Sequence, residues 1–255
     1  MAKHIISEQP LNERVRTFLR LEHLFCQTDY TLHGYSVWDS RATLDSLVDT
    51  LEILSRSDLK TEIIKELERQ IVKLNALQRT PGVDTQQLET ILHKLESAQQ
   101  SLHNLSGQIG QNLREQELIG SLRQRMTTPG GACPIDLPIF HLWLQQSAEA
   151  RIEQLAQWNS QLNVVREPVA LLLEMIREAS IPQTQLAAEG FFQQSLDSNQ
   201  PIQLIRVAIA PELPYFAEIS AGKHRLTIRF LEPQPGRRPL QSQDAVEFAL
   251  TCCAL

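Results

Sequence analysis

The chain has 255 residues, 42% of them hydrophobic and 21% charged, with a formal charge of −6. That length allows one large or two modest domains burying about 70–75% of the unfolded surface, and the composition excludes a disordered or fibrous chain. A negative total argues against a wholly basic nucleic-acid coat and leaves any charge-driven partner to a local patch.

The opening MAKHIISEQPLNERVR has no apolar core of a signal peptide, and charges interrupt every apolar run well short of a membrane span. Ile5 and Ile6 suggest a short strand that joins a sheet built by the tail. A first helix is expected to begin near Pro10, whose fixed φ suits a first turn, with Leu11, Val15, Phe18 and Leu21 or Leu24 inward. Leu44, Leu47, Val48, Leu51 and Leu54 mark a second helix, Ser55 to Ser57 a break, and Leu59, Ile63, Leu67, Ile71 and Leu74 a third. After the stop at Thr80 to Gly82, Asp84 and Gln87 resemble a capping box before Leu88, Ile91, Leu92, Leu95, Leu102 and Leu105. Two antiparallel arms joined at a Pro-Gly turn follow from this spacing.

Gly107 and Gly110 break the pattern before a helix around Leu113 to Arg125, and TTPGGACPIDLP at 127–138 is too rich in proline and glycine for regular structure. His141 to Leu144 leads into a helix over Ala148 to Trp158. The next helix carries Leu162, Val165, Val169, Leu172, Leu173 and Ile176, with Pro168 tolerable only at a kink or in a first turn. Trp38, Trp143 and Trp158 are expected in a core or an interface.

Near residue 180 the apolar period changes from three and four to two. Strands are expected at Ile202–Ala210, Arg225–Leu231 and Ala245–Thr251, with a turn at PELP, 211–214. The fold class is therefore α+β: an N-terminal α-helical bundle with long helices over 1–180, and a small antiparallel β-domain over 181–255 formed mainly by the C-terminal strands.

The residue types argue against a catalyst. Seven histidines form no HExxH and no spaced metal triad, the glycines make no GxxxxGK or GxGxxG, and no GxSxG occurs. No cofactor and no metal are expected. Four cysteines, Cys26, Cys133, Cys252 and Cys253, form no CxxC pair and read as reduced thiols of a cytoplasmic protein.

The basic residues are more informative. In RLTIRF, Leu226, Ile228 and Phe230 face one way and Arg225, Thr227 and Arg229 the other, so burying the first set exposes both arginines together. Lys223 and His224 precede them, and residues 221–240 hold five Lys or Arg against Glu232 alone. Arg16 and Arg20 form a second pair at i, i+4, with Glu13 and Glu22 off that line. The pattern is either the polar face of a half-buried sheet or a binding surface for an acidic partner, peptide carboxylate and phosphate suiting it equally. A nucleic-acid-binding module using this patch is the alternative, although aromatics make up only 5% of the chain and no RNP-like strand occurs.

Several runs together resemble the ZapD family of Z-ring-associated cell-division proteins. They are EQPLNERVRTFLRLEHL at 8–24, LKTEIIKELERQIVKL at 59–74, PGVD at 81–84, the specific run IGQNLREQELIGSLRQRMTTPGGACPIDLPIFHLWL at 109–144, GFFQ at 190–193 and GKHRLTIRF at 222–230. The resemblance implies a non-enzymatic homodimer that binds the C-terminal tail of FtsZ and bundles its filaments during septation. It also implies a cytoplasmic protein recruited to the midcell division ring. The residues it points to for FtsZ contact are Arg16, Arg20, His141, Lys223, Arg225 and Arg229, with Arg56 and Arg114 after them. No membrane insertion and no specific nucleic acid are expected.

Overall fold

In a computed structural model, which describes residues 4–56, 58–78, 80–197 and 200–254, the chain is α+β. It divides into two compact units, one of Met1–Arg16 with Leu173–Leu255 and one of Thr17–Leu172. Ser57, within the expected break, lies outside the described residues.

The first unit is built from β1 (Ile5–Pro10), β2 (Gln183–Ala187), β3 (Phe191–Ser195), β4 (Ile202–Ile209), β5 (Phe216–Ala221), β6 (Arg225–Glu232), β7 (Leu240–Gln241) and β8 (Val246–Ala254). Two antiparallel sheets result, one ordered β1-β4-β8-β2 and one β3-β6-β5, with β7 also paired to β6. Three strands were expected in the tail; β2, β3, β5 and β7 add to them. The sheets share one core: Ile205, Val207, Phe248 and Leu250 from the first meet Leu226, Ile228 and Phe230 from the second. The Phe230 and Phe248 rings stand 5.1 Å apart and Phe192 meets Phe248 edge-on at 5.2 Å.

β1 runs the length of β4, Ile5 opposite Ile209 and Pro10 opposite Leu204. Pro10 therefore ends a strand and does not open a helix. The helix α1 (Glu13–Thr31) starts at Glu13, where the Asn12 Oδ1 accepts from the Val15 N–H at 2.8 Å and satisfies a donor that the first turn would otherwise leave open.

On the other face of the β1–β4–β8 sheet, Glu8 is opposite Arg206. Its carboxylate accepts from Arg206 Nε at 2.8 Å and from Arg177 Nε and Nη2 at 2.9 and 2.8 Å. Burial pushes the Glu8 carboxyl up, but the hydrogen bond and charge of Arg177 and those of Arg206 outweigh it and hold the group below its usual range.

The second unit holds α2 (Val37–Leu54), α3 (Leu59–Leu77), α4 (Thr85–Asn104), α5 (Gln111–Arg114), α6 (Glu117–Met126), α7 (Pro138–Leu144) and α8 (Ala148–Ser160), together with most of α1 (Glu13–Thr31) and of α9 (Asn163–Glu178). The expected helix over Leu113–Arg125 is two helices, because the chain is extended at Gln116, which precedes α6. His141 to Leu144 lies in a helix of its own, α7, separate from α8. Pro168 sits inside α9, past the first turn, where it donates nothing to the Val164 carbonyl.

Helix α2 is the centre of this unit. Its leucines are buried on one side, and Ser40, Thr43, Ser46 and Thr50 are buried too. Each of these hydroxyls donates to a carbonyl four residues back, Thr50 to Ser46 O at 2.7 Å for instance, so small polar residues pack inside without a lost hydrogen bond. Arg151 on α8 is buried at 4% exposure. Its guanidinium donates to Ser40 Oγ at 3.0 Å, to the Tyr35 carbonyl at 3.0 Å, to Leu144 O at 3.2 Å and to Gln146 O, and so ties α2, α7 and α8 with neutral acceptors.

The arms α3 and α4 pair as a hairpin, with Leu67 and Leu95 fully buried. Asp84 caps α4 by accepting from Gln87 N–H at 3.0 Å.

Candidate functional site

The hairpin β5–β6 brings together the basic residues singled out in the tail. Leu226, Ile228 and Phe230 are at 0% exposure, so the strand presents Arg225 and Arg229 outward. The Gly222 N–H donates to Arg225 O at 3.0 Å and closes the turn that carries Lys223 and His224, both exposed. The two arginines differ in their neighbours. Arg229 is opposite Glu218 of β5 and donates to its carboxylate. Arg225 is opposite Ser195 of β3 and, among the described residues, has no carboxylate partner within 4 Å. A surface pair of this kind is worth about 0–1 kcal/mol, yet it neutralises the charge that an acidic ligand would meet at Arg229.

Arg16 and Arg20 stand one turn apart on α1. Arg16 Nε donates to Glu13 Oε1 at 3.0 Å, so Glu13 does not lie off the line of the arginines as expected but pairs with the first. Arg20 is exposed.

Two further residues are held by their own neighbourhood. Arg56 donates to Asp58 at 3.1 Å and to Thr17 at 3.3 Å, with Glu62 at 3.6 Å. Arg114 donates to Ile109 O at 2.9 Å and Gln108 Oε1 at 3.0 Å across the bend at Gly110. Burial and then the nearby charge of Arg123 lower its pKa. Both guanidiniums serve local structure.

His141 is exposed on α7 and lines a cavity of about 240 Å³ with Val37, Trp38, Arg41, Pro134 and Phe140. Sequence reasoning missed this cavity, since Trp38 was assigned to packing and is 71% exposed. The signal was present in Ser36 and Asp39: the Ser36 hydroxyl accepts from Asp39 N–H at 3.0 Å and the Asp39 carboxylate accepts from Ser36 N–H at 3.1 Å. That capping box starts α2 at Val37 and leaves Trp38 in its first turn. Trp143 and Trp158 are buried, and their rings stack at 6.1 Å.

The loop before α7 is fixed by close backbone approach. A Cβ on Gly131 would lie 2.4 Å from the Arg125 carbonyl oxygen, so only glycine fits there.

Residues 19–229 match the family described as ZapD, a cell division protein. A Cell division protein ZapD of Methylococcus capsulatus is 42% identical over 255 residues, covering 100% of both chains. The chain belongs to the ZapD family. A ZapD of Chromobacterium violaceum is 40% identical over 96% of this chain and 98% of its own, and one of Coxiella burnetii 36% identical over 100% of both. Membership in the ZapD family gives the chain a role in cell division. Among the described residues, no helix is long and apolar enough to cross a membrane.

Proposed function

We propose that this chain binds the C-terminal tail of FtsZ and, as a homodimer, crosslinks FtsZ filaments into bundles. It thereby promotes assembly and stability of the Z-ring at midcell, in the cytoplasm. The observation that carries the reading is the exposed hairpin of Lys223 and Arg225, a basic surface in a chain of a cell-division family. Arg229 on the same hairpin contributes to it; Arg16, Arg20 and His141 are further candidates for FtsZ contact, and Arg56 and Arg114 rank after them, because each already has oxygen partners of its own.

A short disordered tail loses conformational entropy when it is ordered, which keeps a single site modest in affinity. Two sites on one dimer facing a polymer raise the effective concentration for the second contact, so bundling follows from bivalency without nucleotide or metal.

Cosedimentation with polymerised FtsZ tests the proposal. Arg225→Ala is expected to weaken binding at least several-fold, the loss of one charge-assisted contact of about 1.5–3 kcal/mol. Arg229→Ala is expected to cost less, since Glu218 already claims that guanidinium. Added salt should weaken the wild type, while Glu68→Lys on α3 should leave it nearly unchanged. Undiminished pelleting with FtsZ lacking its tail would refute the tail contact. Folded, dimeric Arg225→Glu with wild-type binding would remove the strand from it.

A further inference from the structure

The cavity beside His141 has a chemistry that the basic hairpin lacks. At about 240 Å³ it holds several times the ~30 Å³ that one water occupies in the liquid, and its walls are mostly apolar: Val37 and Trp38 from the first turn of α2, Pro134 from the loop, Phe140 and Leu144 from α7. Each wall rests on a rigid support. The Ser36–Asp39 capping box sets the turn of α2, Gly131 sets the loop, and Phe140 stacks on Trp143, which stacks on Trp158. A cavity formed before its ligand arrives loses little to ordering on binding.

Arg41 gives the cavity its charge. Its guanidinium lies 5.9 Å from the centre of the Trp38 ring and 5.6 Å from that of Phe140. It makes one long hydrogen bond, from Nη1 to Ala132 O at 3.4 Å. Asp45, one turn further along α2, feels the Arg41 charge, but among the described residues no carboxylate pairs with Arg41 within 4 Å. A cation with five donors thus lies within reach of two ring faces at the edge of an apolar cavity with most of its donors unused.

We propose that this cavity receives one large apolar side chain of an extended peptide, and that a carboxylate next to that side chain pairs with Arg41, with His141 beside it on α7. The inference rests on the FtsZ-tail reading and adds an apolar anchor to it. A basic surface alone accepts any acidic chain, whereas an anchor beside a cation selects a peptide in which the two features adjoin.

Full-length protein titrated with a synthetic FtsZ C-terminal tail peptide tests this. Two altered peptides go with it, one with its large apolar side chains replaced by serine and one with its carboxylates replaced by amides. Trp38 is exposed while Trp143 and Trp158 are buried, so binding should shift tryptophan emission to the blue, and Trp38→Phe should abolish the shift while keeping affinity. Trp38→Ala and the serine peptide should each weaken binding about tenfold or more, the loss of one buried apolar side chain. Arg41→Gln should shrink the difference between the acidic and amide peptides.

Trp38→Ala, at so exposed a position, should melt like the wild type, which keeps a loss of binding interpretable. Wild-type affinity in Trp38→Ala together with indifference to the serine peptide would overturn the cavity as anchor, and continued weakening by Arg225→Ala would then leave the basic hairpin standing. Failure of the wild type to bind the tail at all would sink both. If Trp38→Ala halves the mass measured by light scattering, the cavity face joins two copies of the chain, and the peptide inference is overturned.

Discussion

Removing the Glu8 carboxylate leaves Arg177 and Arg206 facing each other with the anion gone from between them. Three hydrogen bonds end on that group, and the side chains of all three partners are no more than 24% exposed. Truncating one partner of a buried cluster costs about 3–5 kcal/mol, and this part-buried one should lie at the lower end of that range, because the remaining charges stay largely out of water. Glu8→Ala is therefore expected to speed amide exchange of β1 and β4 by about 100-fold or more, taking about 1.4 kcal/mol per tenfold. Glu8→Gln keeps an acceptor oxygen but no charge and should lose less.

The sign with pH follows from the lowered carboxyl of Glu8. A carboxyl with a folded pKa below its unfolded value of about 4.5 stabilises fully above that value and loses its contribution as pH falls through the folded one. Protection of β1 and β4 relative to the intrinsic exchange rate, measured from pH 7 down to pH 3, should fall in acid in the wild type, with that component missing in Glu8→Gln. Exchange in Glu8→Ala within twofold of the wild type at pH 7, or an unchanged acid component in Glu8→Gln, would refute the reasoning.

Light scattering is expected to give about twice the 29.0 kDa chain mass at micromolar concentration; a monomer would remove the bivalent mechanism. Arg151→Met leaves the acceptors from Ser40, Tyr35, Leu144 and Gln146 without their donor and should destabilise the helical unit by about 3 kcal/mol or more in a denaturant titration, with Arg151→Lys a poor rescue because one ammonium lacks the planar fork. Gly131→Ala should lower the melting temperature, its Cβ meeting the Arg125 carbonyl oxygen. Iodoacetamide at pH 8 should label exposed Cys26 and spare Cys253, which is at 0% exposure with its thiol pushed up to about 11 by burial; rapid labelling of Cys253 in the folded chain would contradict this.

The long helices were legible because burial on one side writes a stripe. Val165, Val169, Leu172, Leu173 and Ile176 of α9 are all at 0–1% exposure. RLTIRF was legible for the same reason at period two. QTQLA, FFQQS and FAEISA were not, because β2, β3 and β5 lie at the sides of their sheets and bury few residues; their strand character comes from the neighbour that hydrogen-bonds them. The basic face could be read from alternation, but not its partial neutralisation. The Glu218 partner of Arg229 depends on hairpin register, and the cavity around Arg41 depends on two stretches far apart in sequence, 37–41 and 132–145, meeting.

The pairing of β1 with β4 has a consequence for synthesis. Ile5 emerges from the ribosome just over two hundred residues before Ile209, its partner in the sheet. At about 5–20 residues per second, that interval is roughly 10–40 s, during which all of Thr17–Leu172 becomes available and can collapse on its own leucines. The first strand must wait unpaired, with Ile5 and Ile6, still half-exposed in the finished fold, then fully open to other nascent chains. A ribosome stalled before Ile202 would present a formed helical unit and an orphan strand edge, and that is the species in which quality control would find this protein.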